Sequence, residues 1–164
     1  FIMSESSNYK RVRKLTYDWE KYFAYDSSDT EVEEFFSKDK PNSAVNDENS
    51  IFYKKILWDV FVYAMAVGRY IGTPKPFTRK TGTIPIEFAK EHHVVAILGV
   101  VFSINDIDLS ILKQPKEIRN ICESYANAGV EKLIEFKKTR EHNNPLSEYE
   151  SEFLKFLKQN KSNK

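Results

Sequence analysis

An all-α fold is what the sequence predicts, a single compact helical domain of about six helices around a buried central one. Three observations predict it. Ile51 to Gly72, IFYKKILWDVFVYAMAVGRYIG, is apolar on nearly every side, and only Lys54, Lys55 and Asp59 are charged in its first seventeen residues. A helix of that composition has to be buried, because a solvated one keeps a polar face. Further on, Ile118, Ile121, Cys122, Tyr125, Ala126, Gly129, Leu133 and Phe136 fall on one helical stripe. Near the start, Val12, Leu15, Trp19, Tyr22 and Phe23 recur at the same spacing.

Taken in order, residues 1–8 read as a disordered lead-in, with Phe1-Ile2 ahead of Met3 an expression remnant. A helix is expected near 9–24, packing Trp19 and Phe23 inward. Lys10, Arg11, Arg13 and Lys14 crowd its start, as a solvated face or as a basic arm for phosphate or an acidic partner. Asp29 or Thr30, followed by Glu33 or Glu34, is a capping signature for a short helix at 30–37 that ends on Phe35-Phe36. Residues 41–50, PNSAVNDENS, are loop, and Asn49 or Ser50 is placed to cap the central helix at 51–70. At about 1.5 Å per residue that helix spans roughly 30 Å, the width of a small domain.

TPKPFTRKTGT follows, where two prolines and Gly82 forbid regular structure. Lys75, Arg79 and Lys80 are three cations here without an acid, and Arg69 precedes them. Loops of this kind present cations and backbone donors to anions. The four residues are therefore the candidate contact for DNA phosphate or an acidic partner face, against the plainer reading of a solvated connector pinned by Phe77. The spacing of a nucleotide phosphate loop is missing. Pro85 then suits the first turn of a helix at 85–102. Short β-structure for VVAILGVVF is weighed on its valine content, but the preceding IEFAKEHH reads helical. Gly99 inside this run suggests a close helix–helix approach. His92-His93 invites a metal reading, yet neighbours on a helix point about 100° apart, and two ligands usually stand three or four residues apart. No metal site or cofactor is expected. Residues 104–112 connect to a long helix at 115–139, whose basic end suits its dipole. A last helix at 146–159 turns Tyr149, Phe153, Phe156 and Leu157 inward, and residues 160–164 fray. The helical domain thus runs from 9 to 159.

Composition narrows the class. The chain has 164 residues, 30% of them charged and 14% aromatic, which suits a globular domain with a sizeable core. Residues 1–50 carry net −4 and the remainder net +5, so the total is +1. Dedicated duplex binders show a denser basic patch. The longest wholly apolar run, Val94 to Phe102, is far short of the ~20 residues that span a bilayer. No secretory signal opens the chain, and Cys122 is the single cysteine. That suits a reducing cytosol, with Cys122 a small apolar residue on a helix.

One enzymatic reading competes. LIEFKKT, residues 133–139, looks like the acid-x-lysine strand of a restriction-type nuclease, with Glu135 and Lys137 as metal ligand and catalytic lysine and Asp106 or Asp108 upstream. Metal-assisted phosphodiester hydrolysis needs those groups to converge on one divalent ion, and the helical stripe runs straight through them.

Two segments carry a resemblance. DVFVYAMAVGRYIGTPKPF, residues 59–77, and ICESYANAGVEKL, residues 121–133, resemble in order and content the small proteins called dnd system-associated protein 4. The matching features are an aspartate–aromatic run closing in Gly68-Arg69, the basic proline loop, and Tyr125-Ala126-Asn127 before Gly129. The resemblance covers roughly residues 50–138. It implies a cytoplasmic, non-catalytic accessory component of an anti-phage defence system linked to bacterial DNA phosphorothioation. The partners it implies are a larger ATPase or nuclease subunit and DNA, with homo-oligomers allowed and no membrane. It transfers no catalytic residues. A small metal-dependent nuclease and a helical adaptor unrelated to DNA are the alternatives.

Overall fold

The computed structural model describes residues 21–77 and 82–138, together with Lys155. In order come strand β1 (Tyr22–Tyr25), helix α1 (Thr30–Phe36), helix α2 (Leu57–Ile71) and strand β2 (Gly82–Pro85). A 3-10 turn (Ile86–Phe88), helix α3 (Glu91–Ile104), a second 3-10 segment (Leu109–Lys113) and helix α4 (Pro115–Lys138) complete it. The fold is largely helical, as expected, but not all-α. The described residues hold four α-helices rather than about six, and one antiparallel two-stranded sheet pairs Tyr22 with Pro85 and Tyr25 with Gly82.

The expected helix at 9–24 is thus corrected at its end, where Phe23 and Ala24 are buried in a strand. Every backbone N–H taken into a core needs an acceptor. The strand pairs with β2, and the Ala24 N–H donates to the buried Glu123 carboxylate on α4 (2.7 Å). The same oxygen accepts from Arg119 Nε at 2.7 Å, which balances the charge. Residues 1–20, the helix at 146–159 and the tail at 160–164 lie outside the described residues, Lys155 apart.

α1 forms where the capping pattern put it. Asp29 is its N-cap, and the carboxylate accepts from the N–H groups of Glu31 (2.9 Å) and Val32 (3.3 Å). α2 starts six residues later than expected, at Leu57. Residues 51–54 are turns, and Lys54 stands at φ 59°, a left-handed conformation that stops helix propagation. Asn49 and Ser50 therefore do not cap α2. α3 likewise starts at Glu91 and not at 85, because Gly82–Pro85 is taken by the sheet. α4 begins at Pro115 as its proline predicts.

α2 is the central element, and α4 crosses it in the opposite sense. At the crossing, Gly68 faces Tyr125 and Gly129, while Gly129 faces Ala64 and Gly68. A Cβ on Gly68 would overlap the Tyr125 carbonyl oxygen and lie 2.7 Å from its carbon. One on Gly129 would overlap the Ala64 carbonyl oxygen and lie 2.7 Å from the Gly68 nitrogen. The two backbones touch, and only glycine permits it. Gly99, expected to mark such an approach, has no atom within 4 Å of a Cβ built on it. α2 ends at Gly72 (φ 88°), whose N–H caps the Gly68 carbonyl at 3.1 Å.

Below the crossing, Trp58 and Phe61 are fully buried and stack edge-on with Phe23 at 5.3 and 5.7 Å between ring centres. Trp58 Nε1 donates to the Pro85 carbonyl at 2.8 Å, tying α2 to the sheet. No helix among the described residues is long and apolar enough to cross a membrane.

Candidate functional site

Of the four cations picked from sequence, the two among the described residues, Arg69 and Lys75, are each engaged within the fold. Arg69 is turned along α3, donating from Nε to Ser103 Oγ (2.9 Å) and from its guanidinium to the Ser103 carbonyl (3.2 Å). It also lies over the Tyr125 ring, 6.0 Å from its centre. Its charge satisfies carbonyl density at the end of α3, where a helix dipole favours a cation. Lys75 forms an ion pair with Glu131 of α4. Its backbone is held as well: its N–H donates to Ser124 O (3.0 Å), and its carbonyl accepts from Asn127 Nδ2 (3.1 Å). The loop is fastened to α4 at the residues before Gly129 that the sequence had marked. Arg79 and Lys80 lie outside the described residues.

The structure brings together a group that sequence reasoning missed: Asp59, His92 and His93, which line a pocket of about 420 Å³ together with Ile51, Phe52, Lys55, Val62, Tyr63, Ala66 and Ala96. Asp59 is the third residue of α2 and His93 the third of α3. Each reaches back to the N–H just before its own helix, which would otherwise lack an acceptor. Asp59 Oδ2 accepts from Ile56 N–H (3.1 Å), and His93 Nδ1 accepts from Lys90 N–H (2.8 Å). The other ends of the two side chains meet, Nε2 of His93 lying 2.9 Å from Asp59 Oδ1. His92 Nε2 lies 3.5 Å from the same oxygen. The sequence signal was there, a polar side chain at the third position of each helix. With both helices expected to start earlier, it could not be read.

Three donor atoms within 4.8 Å of one another would suit a divalent ion by spacing alone. The proton argues otherwise. Since Nδ1 of His93 accepts a backbone N–H, the ring proton belongs on Nε2, where it points at Asp59. A histidine bound to metal through Nε2 uses Nδ1–H as a donor to an oxygen, whereas here Nδ1 faces another N–H. His93 is likewise without a free lone pair for general-base work. The arrangement is a double cap joining two helix starts, in which His93 is buried, Asp59 partly exposed and His92 exposed.

The buried His93 and the partly buried Asp59 both shift in a direction that makes this cap sensitive to acid. Burial pushes the His93 imidazole below the ordinary histidine value, aided by the charges of His92 and Lys90 and opposed by Asp59. Burial works against the Asp59 carboxylate too, but hydrogen bonds from His93, the Ile56 N–H and His92 outweigh it and hold the group below the ordinary value. In each case the folded pKa lies under the unfolded one, so the unfolded chain takes up the proton first and stability falls with pH. The loss from His93 sets in as pH drops through about 6.5, and that from Asp59 as it drops through about 4. Urea unfolding between pH 7.5 and 5.5 is expected to show wild type losing stability, and His93→Gln losing part of that slope. An identical slope in the variant would mean that His93 is not the neutral, buried cap.

The residues of the nuclease reading do not converge. Residues 133–138 are helix, not strand, so Glu135 and Lys137 point roughly 200° apart. Glu135 pairs with Lys132 (2.6 Å), and Lys137 with Asp47 (2.9 Å) and the Asn42 carbonyl. Asp108 caps the second 3-10 segment by accepting from Ser110 N–H at 2.8 Å. Among the described residues, the group of Asp59, His92 and His93 is the one that meets metal-ligand spacing. Cys122 is fully buried, and burial pushes its thiol far above the ordinary value, so it is chemically quiet.

Comparison with known proteins finds no matching family model, no matching curated protein and no matching solved structure.

Proposed function

We propose that the chain is a non-catalytic accessory subunit of a bacterial anti-phage DNA defence system linked to phosphorothioation. It docks on a larger ATPase or nuclease subunit and contacts DNA phosphate or an acidic face of that partner through the loop after α2. The observation that carries the reading is where the resembling residues sit. Gly68 and Gly129 make the α2–α4 crossing, Arg69 holds the end of α3, and Asn127 holds Lys75. All of them build a scaffold and present a loop; none is poised for bond making or breaking. That is what a binding module needs and what a catalytic subunit would not suffice with.

Lys75, Arg79 and Lys80 are the residues assigned to the contact. The Lys75–Glu131 pair is half exposed, and such pairs contribute about 0–1 kcal/mol. Replacing all three by alanine should therefore leave the melting temperature nearly unchanged. Binding to duplex DNA should weaken, and its salt dependence should flatten by about 0.9 in log–log slope for each phosphate that is no longer neutralised. Arg69 is left intact because it also joins α2 to α3. If the triple variant binds DNA and co-purifies with the proteins encoded beside it as well as wild type across a salt series, the loop is a connector and the assignment fails.

A further inference from the structure

The pocket that Asp59 and His92 line is left open by the helix cap beside it. Its volume, about 420 Å³, falls in the range of small-molecule sites. Phe52 and Val62, both buried, give it apolar wall, and Tyr63 meets the Phe52 ring edge-on at 5.3 Å between centres. Ala66 of α2 and Ala96 of α3 each line it with a single methyl group, where longer side chains would close the space. Close-packed chains leave few gaps of this size.

Two opposite charges line this pocket without pairing. Asp59 is partly exposed and is held by the Ile56 N–H and the imidazoles of His92 and His93. Among the described residues no lysine or arginine pairs with it. A carboxylate oxygen has two lone pairs, and Oδ2 uses one of them, on Ile56, so the group keeps acceptor capacity. Lys55 lines the same pocket, is exposed, and pairs with no carboxylate among the described residues. Its ammonium group brings three donors.

We propose that the pocket binds a free α-amino acid with an aromatic side chain. Its ammonium group donates to Asp59, its carboxylate accepts from Lys55, and its ring lies against Phe52, Val62 and Tyr63. Aromatic rings favour the edge-on contacts that such walls offer. The charges choose the class of ligand. A simple cation would face Lys55 as a like charge, and a simple anion would face Asp59. An uncharged apolar molecule would leave both groups unanswered. A zwitterion with an apolar body answers all three features at once. This inference is independent of the defence reading.

The test uses the full chain, with L-phenylalanine as the probe. Titration followed by amide NMR should show saturable binding with a Kd of about 1 mM or below. The shifts should gather at Lys55, Ala66 and Ala96. Phenylalaninamide keeps the ammonium and lacks the carboxylate charge, and hydrocinnamate keeps the carboxylate and lacks the ammonium. Each should bind about tenfold more weakly. Deleting charge from the probe leaves the Asp59 cap, on which two helix starts depend, undisturbed. Lys55→Gln should weaken L-phenylalanine about tenfold and leave phenylalaninamide unaffected, which ties the lysine to the carboxylate. Ala66→Phe, at an exposed helix position, should abolish binding with an unchanged circular dichroism spectrum. Absence of saturable binding at millimolar L-phenylalanine overturns the proposal. So does either analogue binding as tightly as L-phenylalanine, which reassigns the pocket to a cation or to an anion. Binding that survives Ala66→Phe overturns it too, because the ligand then sits elsewhere.

Discussion

Gly68→Ala and Gly129→Ala are each expected to destabilise the protein by about 3 kcal/mol or more, at or beyond the upper end of ordinary overpacking. The obstruction in both cases is backbone, the carbonyls of Tyr125 and Ala64, and not the tip of a flexible side chain. A side chain could rotate away. A helix backbone has to move as a whole, and α2 and α4 would separate along a seam that holds Trp58, Phe61, Met65, Val130 and Leu133 in the core. The double variant should cost less than the sum of the two, because helices already pushed apart admit the second methyl group. Urea midpoints for the two single variants and the double give the comparison. Single variants within about 0.5 kcal/mol of wild type would mean that the helices do not touch at these glycines.

Trp58→Ala or Phe61→Ala should cost about 3–5 kcal/mol, a large share of the roughly 5–15 kcal/mol that holds a domain together. Both rings are fully buried, and they meet edge-on at 5.5 Å. Trp58→Ala also strands the Pro85 carbonyl, which loses the indole N–H that tied the sheet to α2. Trp58→Phe keeps most of the apolar volume and drops mainly that bond, so about 1 kcal/mol is expected for it. Thermal melts that leave alanine variants at the wild-type temperature would place α2 outside the core.

α4 and α1 were legible because their signals are local. Pro115 and the stripe from Ile118 to Phe136 mark α4, and Asp29 marks α1, within a few residues of where each forms. The sheet was not legible. YFAY is too short to show alternation, Phe23 lies at helical spacing from Trp19, and the partner strand is sixty residues away. The start of α2 was misread for a related reason. Phe52 is apolar because it is buried in a turn, and nothing in IFYKKI marks the left-handed Lys54 that ends any helical run there. That error concealed Asp59 as a capping residue. In the site, Arg69 and Lys75 were grouped by their closeness in the sequence, but Ser103 and Glu131, which engage them, stand far along the chain. Gly99 was read as a close helix–helix approach, which among the described residues Gly68 and Gly129 make.

Helices usually come undone from their ends, each on its own. The chain Ile56–Asp59–His93–Lys90 removes that independence at one end of two helices. If the first turn of α2 opens, Asp59 leaves with it, and His93 loses the carboxylate that orients its ring against the Lys90 N–H. Opening of α3 releases Asp59 in the same way. The two starts are therefore expected to open as one unit, with their amide protons showing matched protection from exchange with solvent although some thirty residues of chain separate them.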